Sequence, residues 1–197
     1  VVDDFAYGSW RDGGLTILDV KDKTKPELIV HRNWSPPFPG GTHSALPLHD
    51  RNLLIVADEA TLNIDQEEMK RTWIFDIREK SNPVSIATLP TPTDRDYVKI
   101  GGQFGPHNLH ENRPGSFQSE TLIFATYHNA GVRAFDISTA HEPREVAYFV
   151  PDAPEKVVDI RPGAERVVQS TDVFAAADGT LYVTDTNGGL TVLAYKG

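Results

Sequence analysis

One segment recurs four times, and that recurrence limits the possible folds more than any other feature of the chain. It reads GGLTILDV at 13–20, TWIFDI at 72–77, GVRAFDIS at 131–138 and GGLTVLAY at 188–195. Its anchor residues, Asp19, Asp76, Asp136 and Ala194, are spaced by 57, 60 and 58 residues. Each of the three Asp anchors is followed seven residues later by a proline, Pro26, Pro83 and Pro143. A fixed period of this size marks a protein built from copies of one supersecondary unit.

The residues around each anchor name the unit. A short β-branched or aromatic run precedes each one: Phe5-Ala6-Tyr7-Gly8, then residues 53–58, 122–126 and 181–185. Turn residues such as Asn129-Ala130-Gly131 and Asn187-Gly188-Gly189 join the two, which is the pattern of a hairpin. A further strand candidate follows each proline, at 27–31, 84–89 and 145–150. Another lies ahead of each hairpin, at 42–48, 106–112 and 169–175. No window has a helical period; residues 65–70 could make one helical turn at most. Four strands per unit at this spacing predict an all-β fold of β-propeller blades. The unbroken apolar run Leu53-Leu54-Ile55-Val56-Ala57 suits a strand covered on both faces, as stacked blades require.

Counting strands divides the chain into a partial blade at 1–35, blades at 42–90 and 103–151, and a partial blade at 166–197, within a single segment, 1–197. That is about three and a half four-stranded blades, whereas a closed ring takes four to eight. The expectation is therefore a piece of a larger propeller of about seven blades. An N-terminal half or a second chain would complete it, and a compact open β-sheet domain is the alternative.

Composition narrows the function. The net charge is −9 and no Lys/Arg cluster stands out, so nucleic acid is not an expected partner. No run approaches the roughly 18 apolar residues of a membrane helix, and the chain reads as a soluble protein with no membrane span. There are no cysteines, which removes disulfides, thiolate metal sites and a Cys nucleophile. That leaves the compartment open, with the cytoplasm favoured over secretion or the periplasm. The glycine pairs Gly40-Gly41 and Gly101-Gly102 match no phosphate loop, so no nucleotide cofactor is expected.

Histidines are the main candidates for chemistry. His43 and His107 each open an inner strand, and inner strands of a propeller line its channel, so equivalent residues converge there. Asp172 falls within one residue of the same position in the last blade. Two imidazoles and a carboxylate would suit a divalent transition metal: Zn²⁺, Fe²⁺ or Mn²⁺. His110 joins His107 on one ion only if residues 106–113 are irregular, because i and i+3 point to opposite faces of a strand. The competing reading makes these histidines hydrogen-bond donors that hold the blades in register. His31, His49, His128 and His141 read as surface residues. Asp19, Asp76 and Asp136 read as turn caps, and Asp58, Glu59 and Asp185 as candidate cation ligands on the opposite rim. Trp10, Trp34 and Phe38 read as pocket-lining or rim-packing aromatics. A small-molecule ligand is a further expectation.

The anchors GGLTILDV, TWIFDI and GVRAFDIS, each with its proline, resemble the repeat of bacterial LVIVD-repeat β-propeller proteins. GTHSALPL, FGPHNLHENRPGSF and LIFATYHNAGVRAFDIS are similar to the C-terminal half of such proteins. The resemblance implies a propeller acting as a binding or scaffold module. A distant similarity to selenium-binding/methanethiol oxidase propellers implies histidines that bind metal near the channel. The alternative to a binding module is a metal-dependent enzyme whose ion sits on His43 and His107, completed by Asp172 or by the missing half.

Overall fold

A computed structural model describes residues 1–63, 66–158 and 165–196. Thirteen strands lie among them, in four antiparallel sheets. The first sheet holds β1 (Phe5–Ser9), β2 (Leu15–Asp19) and β3 (Glu27–Arg32). The second holds β4 (Thr42–Leu48), β5 (Leu53–Asp58), β6 (Thr72–Asp76) and β7 (Val84–Thr88). β8 (Leu122–Thr126), β9 (Val132–Asp136) and β10 (Arg144–Phe149) form the third, and β11 (Ser170–Ala175), β12 (Thr180–Asp185) and β13 (Gly189–Ala194) the fourth. Among the described residues, helix is confined to a 3₁₀ turn at His49–Arg51 and one turn, α1, at Tyr97–Ile100. The helical turn expected at 65–70 starts outside the described residues, and 66–70 are not helical.

Each sheet packs face to face on the next. β5 explains the continuous apolar run. Leu54 and Val56 pack with Leu15, Ile17 and Val30 of the first sheet. Their neighbours Leu53, Ile55 and Ala57 pack on the other side with Leu109, Ile123, Ala125 and Phe135 of the third. All six residues of β5 are buried. Truncating one of these large side chains to Ala should cost about 2–5 kcal/mol. Phe124, Val132 and Ala134 join Val173, Ala175, Leu181 and Val183 across the last interface. The stack does not close into a ring, and Phe174, Tyr182, Leu190 and Val192 leave an apolar face on the last sheet exposed.

The repeated aspartates cap the turns. Asp19, Asp76 and Asp136 each accept the backbone N–H two residues on, from Lys21, Arg78 and Ser138, at 2.8–2.9 Å. Gly14 and Gly131 repeat as well, at φ +81° and +76°. A Cβ there would collide with the carbonyl of Arg32 or Phe149, so side chains are excluded by space as well as by backbone conformation.

The third blade departs from expectation. Residues 106–112 do not form a regular strand; they follow β8 through a single bridge, Leu109 to Ala125, and a few main-chain bonds. His107 N–H donates to Thr126 O, while Thr126 N–H donates to Asn108 O, so two residues face one. That is a β-bulge. The same irregularity falls between Thr42 and Ser44 in β4 and between Ser170 and Asp172 in β11. The inner segments of three successive blades thus carry an extra residue at one equivalent point: His43, His107 and Thr171.

Candidate metal centre

A bulge turns the side chain of its extra residue away from the regular alternation. His43 and His107 occupy that position in neighbouring blades, and their rings stack at 4.6 Å with 13° between planes. Glu59 follows β5, and antiparallel pairing sets the end of β5 beside the start of β4, with Thr42 opposite Asp58. Glu59 therefore lies at the same end of the sheet as His43, not on the opposite rim. Its Oε2 lies 3.2 Å from His43 Nδ1 and its Oε1 3.3 Å from His107 Nε2. One donor atom from each of the three residues lies within 4.8 Å of the other two.

The hydrogen bonds around His107 fix its tautomer. Nδ1 contacts the Thr171 carbonyl, which can only accept, so Nδ1 carries the proton. Burial holds the His107 pKa below the ordinary value, against the opposing effects of the Thr171 bond and Asp172. The neutral ring then presents a bare lone pair at Nε2 toward the Glu59 oxygen. Two lone pairs facing each other at 3.3 Å leave room for a proton or a metal cation between them. A ring N–H held by a backbone carbonyl is also the usual way a metal-binding imidazole is oriented. Donors about 2.1 Å from a tetrahedral ion sit about 3.4 Å apart, so the His43–Glu59 and His107–Glu59 spacings fit. His43 is lowered too, first by burial and then by His107 and Arg11, with the Asn108 side chain and Asp172 opposing the shift. Arg11 pairs with Glu59 Oε2 and acts as a local cation in the cluster.

The other predicted positions separate. Asp172 is the residue after the bulge, equivalent to Ser44 and Asn108, not to His43. It is exposed beside the cluster, where its charge favours protonated His43 and His107. With Tyr7, Ser44, Asn108 and Arg113 it lines a largely polar cavity of about 480 Å³ that opens beside His43. His110 is not brought to His43 and Glu59, although its segment is irregular. Its Nε2–H donates to Phe117 O at 2.8 Å and its Nδ1 accepts the Ala175 N–H at 3.1 Å, pinning the third sheet to the fourth. Both ring nitrogens are taken.

Asp58 and Asp185 are structural. Asp58 is buried and accepts Trp34 Nε1–H, Trp73 Nε1–H and Thr42 O–H at 2.6–3.0 Å. Asp185 holds the N–H groups of Gln169, Asn187 and Gly188. Trp34 and Phe38 pack on Trp73, while Trp10 stays exposed. His31, His49 and His141 are exposed as expected. His128 is not: it is 2% exposed and lies against His107, ring centroids 5.1 Å apart.

Repeated antiparallel sheets packed in series define a protein of the β-propeller class. An LVIVD-repeat family model matches residues 1–32, which contain the whole first sheet. No curated protein matches the chain. The distant similarity to selenium-binding propellers therefore gains no support. Among the described residues no helix is long and apolar enough to cross a membrane.

Proposed function

We propose that this LVIVD-repeat propeller is a binding module whose recognition element is a divalent transition metal held by His43, Glu59 and His107. The single observation that carries the reading is the Nε2 of His107 set 3.3 Å from a Glu59 oxygen, with Nδ1 committed to Thr171. Two imidazoles and a carboxylate match sites that hold Zn²⁺ or Fe²⁺. Mn²⁺ is the third candidate ion. The polar cavity beside His43 supports a small polar ligand as the thing bound, with Asp172 and Arg113 on its wall.

A metal-dependent enzyme is the second reading, favoured by the open cavity beside the cluster, since a bound ion with a free position polarises a carbonyl or activates water. Asp172 would then face substrate, not metal. In both readings the exposed apolar face of the last sheet is a seat for further blades, supplied by an N-terminal half or a second chain.

Metal analysis of the purified protein, followed by titration of metal-free protein with Zn²⁺, tests the centre. One ion per chain, lost in both His43→Ala and His107→Ala with the fold intact by circular dichroism, is the expected result. No bound metal and no Zn²⁺ uptake would leave a scaffold whose histidines only hold blades in register.

A further inference from the structure

The cluster is drawn from two positions of the repeat, and one of its neighbours has no hydrogen-bond partner. Six residues beyond the first residue of β1, β5, β8 and β12 stand Arg11, Glu59, His128 and Thr186. Strand register makes them equivalent, because Phe5, Leu53, Leu122 and Thr180 each pair with the anchor position of their own sheet. Arg11 and His128 share a left-handed backbone, φ +54° and +43°. They also share their turn: each accepts the N–H of the glycine three residues on, Gly14 or Gly131. Glu59 reaches His43 of its own blade and His107 of the next. His128 occupies the Glu59 position one blade further round, against His107 of its own blade.

Nothing in the fold itself requires an imidazole at this point. The side chain is almost fully enclosed, and neither nitrogen has a hydrogen-bond partner among the described residues. The Ala60 carbonyl, next to Glu59, faces the ring outside hydrogen-bonding geometry. An apolar ring would fill the space without leaving a donor unpaired. The left-handed backbone adds strain that a residue other than glycine pays only where the surroundings hold it. The His128 nitrogens lie outside the group of donors within 4.8 Å of one another. The main chain is fixed by bonds from Gly131 N–H and Ser170 N–H to His128 O, so a turn of the side chain is what brings a nitrogen to the ion. We propose that His128 is a third imidazole donor to the ion held by His43, Glu59 and His107. The inference rests on the metal reading above. It gives the centre the composition His₃Glu, in which coordination supplies the partner that the His128 nitrogen lacks.

Co²⁺, whose visible absorption reports its ligands, is the probe. Metal-free wild type should bind one Co²⁺ and develop ligand-field bands. His128→Phe, which fills the same space without a donor, should unfold at a higher temperature than wild type when metal-free. It should also bind Co²⁺ more than about tenfold more weakly, with displaced bands. His128→Gln, which keeps polarity, should show the same displacement. Wild-type bands and affinity in both variants would overturn this inference and leave the three-residue centre standing. A wild type that takes up no Co²⁺ would overturn both.

Discussion

The two ends of the blades use repetition in opposite ways. At the turn after each third strand the same residue recurs, and Asp19, Asp76 and Asp136 each perform the same local task on a backbone N–H. At the mouth, equivalent positions vary from blade to blade: two histidines and a threonine in the bulge (His43, His107 and Thr171), and Arg11, Glu59, His128 and Thr186 after the second strand. A residue that every blade needs acts within its blade. Where the repeat varies, residues from the two sets of positions can meet across blades and form one asymmetric site. The contacts follow that division: the aspartate caps span two residues, whereas Glu59 touches a histidine 48 positions away.

Four experiments would break or sharpen the contrast. The largest effect is expected at the mouth. Glu59→Ala should weaken Zn²⁺ binding by at least about 1,000-fold in an isothermal titration, well beyond the loss typical of an outer-shell change, with the thermal midpoint little altered. An unchanged affinity would show that the mouth does not act as one site.

The second effect is on stability in metal-free protein. Burial pushes the His128 pKa down to about 3. Below pH 6.5 the unfolded chain takes up a proton that the folded chain refuses, so stability present above that pH is lost as pH falls toward 3. Between pH 6.5 and 4.5 the loss should be about 2 kcal/mol, read from urea midpoints. His128→Phe should flatten the slope, and the downward-shifted His43 and His107 should retain part of it.

Arg11→Ala is third. Arg11 competes for Glu59, so its removal should tighten Zn²⁺ binding a few-fold, the scale of an exposed ion pair. Weaker binding would instead make Arg11 part of the ligand site. The smallest effect is expected at the cap: Asp136→Ala should lower the thermal midpoint by about 1–3 °C and leave Zn²⁺ affinity unchanged.

Most of the architecture is legible in the sequence because strand period, turn residues and the Asp-to-Pro interval are local signals. The aspartate caps are legible for the same reason. The mouth is harder to read. A bulge adds one residue and reverses the alternation after it, which set Asp172 one place away from the His43 position and left residues 106–112 without a regular ladder. The side on which Glu59 lies follows from antiparallel pairing, and requires counting back along the hairpin from the strand ends. His128 resembles a surface turn residue because the feature that buries it, the next sheet, lies some forty residues downstream. Aligning the units on the first residue of each second strand, not on the anchors alone, would have put His128 in register with Glu59. His110 carries no local mark separating it from His107; its two backbone partners are set by how the third and fourth sheets meet.

The link from each hairpin to the next blade's inner segment is main chain to main chain. Arg11 bridges Thr42, Ala60 N–H reaches Pro106 O, and His128 bridges Ser170. A seam of this kind is indifferent to the side chains it carries. Donors around the opening could be exchanged one at a time without loosening the frame that aims them, so the same scaffold can be refitted for another ion, or for none, by substitution alone.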